Sequence, residues 1–144
     1  MIPARLSVVT LGVRDFARMR AFYRALGWAE SENASDEWTA FATAGARLAL
    51  YPIDLLAKES GLPHRAGTED GFARVSLAVN VEAPDAVDGA YRAMVAAGGR
   101  SLAEPVTQDW GGRSAYVADP EGNTWEIAFA PNATFDASGA LADL

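Results

Sequence analysis

The chain has no cysteine, one histidine and one lysine among its 144 residues. Without cysteine there can be neither a disulfide framework nor a thiolate metal site. The lone His64 and the lone Lys58 both lie in a stretch rich in chain breakers, where solvated loop positions are expected. No serine or threonine has a nearby base in sequence, so no nucleophile–base pair stands out. Runs of about 18 apolar residues, the length of a membrane span, are missing as well. The opening Met1-Ile2-Pro3-Ala4-Arg5 lacks the apolar core of a signal peptide, so a cytoplasmic protein without a membrane partner is expected. Positive charge is also scarce. A net charge of −7 argues against nucleic acid, whose phosphates must be neutralised by a surplus of Lys and Arg. Cationic or neutral small molecules remain.

Apolar residues make up 50% of the sequence, enough for a packed core. Residues 6–13 alternate, with Val9, Leu11 and Val13 on one face, and predict a strand. Asp15 is a suitable N-cap for a helix whose apolar stripe is Phe16, Met19, Phe22, Tyr23 and Leu26, stopped by Gly27. Three strands are expected next, near 28–31, 37–43 and 46–51, the last two joined at Ala44-Gly45. Between Pro52 and Gly71 five prolines and glycines break the pattern, which predicts a linker with one helical turn at Leu55–Glu59.

The order then recurs. Residues 73–81 predict a strand with Val75, Leu77, Val79 and Val81 on one face. A helix follows, with Pro84 at its first position, Asp85 against its dipole and Val87, Tyr91, Met94 and Val95 as its stripe. Strands near 102–108, 113–118 and 123–129 complete the second set, and Asp119-Pro120-Glu121-Gly122 makes the last turn. Even the wording repeats: Tyr23-Arg24-Ala25-Leu26 is echoed by Tyr91-Arg92-Ala93-Met94. The expected architecture is α+β: two βαβββ modules forming a cup-shaped mixed sheet with helices packed outside. Module one spans 5–52, the linker 53–71 and module two 72–131, within one domain of residues 1–131; residues 132–144 are a tail.

The stretch from Leu11 to Phe16, then Phe22-Tyr23 and Leu26-Gly27, resembles the opening of vicinal oxygen chelate modules, the glyoxalase, bleomycin-resistance and extradiol dioxygenase superfamily. Asp119-Pro120-Glu121-Gly122-Asn123-Thr124-Trp125-Glu126 is similar to their closing hairpin, and Trp110-Gly111-Gly112 adds to the match. The resemblance implies the fold and leaves the chemistry open among lyases, isomerases, dioxygenases and metal-free binding proteins. Metal-dependent members take one ligand from each of four strands. Carried onto this chain, those positions are Val8, Ala49, Arg74 and Glu126. Valine and alanine have no donor atom, and arginine keeps its proton and offers no lone pair. One carboxylate does not hold a divalent ion, so no metal and no other cofactor is expected.

Alternation places Val8, Thr10, Gly12, Trp38, Ala40, Arg47, Ala49 and Tyr51 on the cavity side of module one. In module two it places Arg74, Ser76, Ala78, Asn80, Arg113, Ala115, Thr124 and Glu126 there. Arg74 and Glu126 occupy converging ligand positions and are expected to pair, or to receive a carboxylate and a donor from a ligand. Trp38 and Tyr51 are candidates to stack a planar ligand, and Trp110 resembles the loop aromatic with which drug-binding members clamp theirs. The candidate binding residues are therefore Trp38, Tyr51, Arg74, Trp110, Arg113 and Glu126. No catalytic residue is assigned. The reading favours a metal-independent small-molecule-binding protein for sequestration, carriage or resistance, taking a planar or aromatic organic ligand as a homodimer. The alternative is a metal-dependent lyase, isomerase or dioxygenase.

Overall fold

Breaker residues after Pro52 mark the division of the chain. The computed structural model describes residues 1–64, 71 and 73–144. Two compact units result, Met1–Arg65 and Ala66–Leu144, and their boundary lies inside the expected linker. Residues 65–70 of that linker, and Phe72 at the start of module two, lie outside the described residues.

In the first unit, β1 (Val8–Val13) leads into α1 (Phe16–Ala25), followed by β2 (Thr39–Phe41), β3 (Arg47–Pro52) and α2 (Ile53–Ser60). Asp15 caps α1 by accepting the Arg18 backbone N–H at 3.0 Å, which satisfies one of the free donors of the first turn. The helix buries Met19, Phe22 and Tyr23, as its stripe predicts. Tyr23 is the hub of an aromatic cluster. Its ring lies 5.0 Å from Phe22, edge to face, and 5.6 Å from both Trp28 and Phe41. The sheet order is β1-β3-β2, with β1 parallel to β3 and β2 antiparallel to it. Since Phe41 touches α1, its register partner Leu48 and, by alternation, Leu50 and Thr39 share that helix-covered face. All four are buried.

The first unit departs from the sequence reading twice. The strand expected at 28–31 is reduced to a single antiparallel bridge, Glu30 with Phe41. The single turn expected in the linker is an eight-residue helix, α2, closed by Gly61 in the left-handed conformation at φ 70°.

In the second unit, β4 (Ser76–Asn80), α3 (Pro84–Ala96), β5 (Arg100–Thr107), β6 (Arg113–Ala118) and β7 (Thr124–Phe129) form the main layer pair. The sheet order is β4-β7-β6-β5, with β4 parallel to β7 and the other pairs antiparallel. Each unit thus pairs its first strand in parallel with its last. The Glu30 bridge in the first unit stands where β5 stands in the second, so the duplication expected from the sequence is visible in the topology. Pro84 opens α3 and Val87 and Met94 are buried beneath it. Val95, expected in the stripe, is 37% exposed. Residues 134–143, expected as part of a tail, form a hairpin of β8 (Thr134–Phe135) and β9 (Leu141–Asp143). Asp136 organises its turn: one carboxylate oxygen accepts the Ser138 N–H and hydroxyl and the Ala140 N–H. The Ser138 hydroxyl, then the backbone donors, hold the Asp136 carboxyl below its ordinary range.

Candidate functional site

Two sheet faces, one in each unit, carry most of the residues singled out from the sequence. On the first, the side of β1 and β3 opposite α1, the parallel register sets Val8 beside Arg47, Thr10 beside Ala49 and Gly12 beside Tyr51. Ala40 adjoins Ala49 from β2, as expected. The linker helix covers one end of this face. A Cβ at Gly12 would come within 3.0 Å of the Ile53 side chain, so α2 starts against bare backbone. Tyr51, expected as a free stacking platform, instead donates its hydroxyl to Glu59 of α2 at 2.8 Å. That hydrogen bond, helped by burial, pushes the phenol above its ordinary pKa. Trp38 lies just before β2 and is half-buried. It is held by a tight loop in which its N–H donates to the Ser35 hydroxyl at 3.1 Å and its carbonyl accepts the Ser35 N–H at 2.7 Å.

On the second face the structure corrects two expectations. Asp119, Pro120, Glu121 and Gly122 do not make a four-residue turn; Asn123 belongs to the loop as well. The Asp119 N–H donates to the Asn123 carbonyl at 2.9 Å, and Ala118 pairs with Thr124. One added loop residue shifts the register by one and exchanges the faces of a whole strand. Arg113 and Ala115 therefore share a face with Ile127 and Phe129 on the α3 side, not with Glu126. Arg113 donates in bidentate fashion to Asp88 of α3, from Nε at 2.7 Å and Nη2 at 2.8 Å, and from Nη1 to Thr107 at 3.1 Å. The pairing lowers the Asp88 pKa and raises that of Arg113. Arg113 is a strut between helix and sheet.

The residue that takes its place beside Glu126 is Tyr116, which the sequence reading did not single out. Tyr116 is the direct cross-strand partner of Glu126 and hydrogen-bonds to its carboxylate. Burial, then that hydrogen bond, raises the Tyr116 pKa. Around the pair the floor is made of small side chains: Ala78 beside Glu126, Thr124 and Ala128 along β7, and Ser114 and Ala118 along β6. The Ser114 hydroxyl accepts from the Gln108 amide at 2.8 Å.

Arg74 is the second correction. The strand expected from residue 73 begins at Ser76, and Arg74 has φ 69° and is exposed. A left-handed residue breaks the two-residue alternation, so the strand-face argument for Arg74 fails. The register sets Ala78 next to Glu126, and among the described residues Tyr116 is the one side-chain partner of Glu126. The expected Arg74–Glu126 pair is not formed.

Trp110 lies in the β5–β6 loop and is 59% exposed. Its indole lies directly over Gly112, where a Cβ would sit 1.9 Å from two ring carbons and 2.7 Å from the Phe129 carbonyl oxygen. Only glycine leaves room for the ring. We expect Gly112→Ala to expel the indole from this seat, seen as a red shift of tryptophan emission, with a loss of about 1–3 kcal/mol from overpacking.

The family model described as the Glyoxalase/Bleomycin resistance protein/Dioxygenase superfamily matches residues 5–127. The chain belongs to this superfamily. A glyoxalase-related enzyme from Fulvimarina pelagi is 32% identical, with a TM-score of 0.86 over 97% of this chain and 98% of its own. A glyoxalase/bleomycin resistance protein/dioxygenase family enzyme from Burkholderia phytofirmans PsJN is 25% identical, with a TM-score of 0.75 over 88% and 98%. A lactoylglutathione lyase from Agrobacterium tumefaciens, at 18% identity and a TM-score of 0.64 over 90% and 96%, shares the fold. No protein of curated function matches the chain.

The residues at the superfamily's metal positions do not fit an ion. Val8 and Ala49 have no donor atom, and Arg74 lies outside β4 and has no lone pair to give. The first two β4 side chains on the face of Glu126, Ser76 and Ala78, are a hydroxyl and a methyl. Glu126 already accepts the Tyr116 hydroxyl. Among the described residues no three of His, Cys, Asp and Glu come together. Nor, among those residues, is any helix long and apolar enough to cross a membrane.

Proposed function

We propose that this member of the glyoxalase/bleomycin resistance superfamily is a metal-independent small-molecule-binding protein, acting in sequestration, carriage or resistance. The observation that supports it is the donor set: one carboxylate, engaged by Tyr116, where the superfamily's metal-dependent members use four ligands. What the superfamily positions offer instead is a polar pair on a floor of small side chains, which leaves room for an organic molecule. The exposed indole of Trp110, seated on Gly112, is suited to stacking against a planar ligand. We propose that the protein works in the cytoplasm as a homodimer, and solution scattering that gives a monomer mass at micromolar concentration would remove the second element.

The test is elemental analysis of the purified chain together with calorimetric titration against planar aromatic compounds. Metal well below one equivalent, with saturable binding unaffected by a chelator, is the expected outcome. Stoichiometric zinc, nickel, iron or manganese, lost together with binding on chelation, would overturn the reading in favour of a metal-dependent enzyme.

A further inference from the structure

We infer that the face around Tyr116 and Glu126 recognises the protonated, hydrogen-bond-donating end of its ligand: an amine, amidine or guanidine. The inference rests on the binding reading above and names the chemical class of what is bound.

It starts from the proton inventory of the pair. A phenol has one proton, and Tyr116, set directly across from Glu126 by the strand register, is placed to direct it at the carboxylate. Once that bond is made, every remaining polar position on the two side chains is a lone pair: those of the phenol oxygen and the unused ones of the carboxylate. A carbonyl or carboxylate brought up to this pair meets lone pairs and is disfavoured, the donors on the same face being the Ser114 and Thr124 hydroxyls to either side. A cationic N–H group meets two oxygens side by side, with spacing set by direct cross-strand partnership.

The surroundings point the same way. Ala78, Thr124 and Ala128 flank Glu126, and Ser114 and Ala118 flank Tyr116, so the side chains next to the pair carry no cation. The basic residue expected there, Arg74, is left-handed and outside the strand, and Arg113 is on the opposite face in its bond to Asp88. The charge is also lopsided. Residues 66–144 hold 4 arginines and 12 carboxylates, a net −8, whereas residues 1–65 are close to neutral with 8 Lys and Arg against 7 carboxylates. The second unit therefore attracts a cation before contact is made.

The experiment uses the full-length protein and three probes of one shape: benzamidinium, benzamide and benzoate. Binding is followed by calorimetry and by the ring signals of Tyr116 in NMR spectra. The expected order is benzamidinium over benzamide over benzoate. Glu126→Gln, which keeps the size of the side chain, should weaken benzamidinium by about tenfold or more, and salt should weaken it further. Tyr116→Phe should leave the order unchanged, because the carboxylate is retained. A preference for benzoate, unaltered benzamidinium affinity in Glu126→Gln, or no response of Tyr116 at millimolar benzamidinium would each overturn the inference. If the protein binds other planar compounds while failing these tests, only the cation assignment falls. A stoichiometric metal would instead bring down the reading beneath it.

Discussion

Replacing Glu30 by alanine should lower the stability of the chain by about 2–3 kcal/mol at neutral pH, measured as a fall in the urea midpoint at unchanged slope. Glu30 gathers three donors. Arg20 and Arg24 come from α1, and the Thr39 hydroxyl comes from the first residue of β2. The carboxylate thus ties the helix to the strand at the point where the strand expected at 28–31 has shrunk to a bridge. Thr39 is fully buried, so removing its acceptor leaves a hydroxyl with no replacement from solvent. Burial works against ionisation of Glu30, but the hydrogen bonds from Arg20, Thr39 and Arg24 outweigh it and hold the pKa at about 2, against an ordinary 4.5. A depressed carboxylate stabilises the fold above its unfolded pKa and loses that contribution as pH falls through the folded one. The gap between the parent and Glu30→Ala should therefore be full above about pH 5 and narrow steadily towards pH 2. Arg24 is half-exposed, with 53% of its side chain in solvent, so part of the gap should also disappear in high salt. A gap that did not change between pH 6 and pH 3 would show that packing, not charge, makes the connection.

The second large effect is expected at Asp119. Its side chain is 2% exposed, and its carboxylate closes the β6–β7 loop from inside. It accepts the Glu121 N–H at 3.0 Å, the Asn123 N–H at 2.9 Å and the Asn123 side-chain amide at 2.8 Å. Asp119→Ala removes all three and should cost about 2–4 kcal/mol, or some 5–12 °C in Tm for a chain of this length. The consequence reaches the face that carries Tyr116 and Glu126. This loop sets the register that puts Tyr116 opposite Glu126, so loss of Asp119 should also broaden the Tyr116 ring signals and weaken benzamidinium. Asp119→Asn, which keeps one acceptor oxygen, should recover part of both. Tyr116 signals that stayed sharp and unshifted in Asp119→Ala would mean that the strands hold their register without the loop.

These two residues show where the sequence was readable. Period-two and helical periodicities gave the order of elements in both units, because a half-buried strand or helix must repeat its apolar residues with its own geometry. The Asp15 cap, the α1 stripe and the Ala40–Ala49 pairing followed from local rules of that kind. Side-chain direction past a loop did not. Whether Arg113 or Tyr116 accompanies Glu126 depends on whether the loop holds four residues or five, and that is decided by Asp119 hydrogen bonds that no composition rule reports. Arg74 was misplaced for a related reason. Its neighbours Val75 and Leu77 continue the alternation in sequence, yet Val75 is 60% exposed and Arg74 is left-handed, so apolar spacing overran the true start of β4. The one signal that could have singled out Tyr116 was its position ten residues before Glu126, which pairs the two across a five-residue loop.

Strand β5 has its own consequence. It forms the edge of its sheet, yet it slips register twice along its length, between Ser101 and Ala103 and again between Ala103 and Val106, and it contains Pro105. Leu102 and Val106 remain in solvent at 42% and 54%. A straight border with those residues would template the growth of fibrils from chain to chain; a crooked one interrupted by an imino acid cannot zip with a copy of itself. The unevenness of this margin thus lets the protein keep greasy side chains in water without pairing edge to edge.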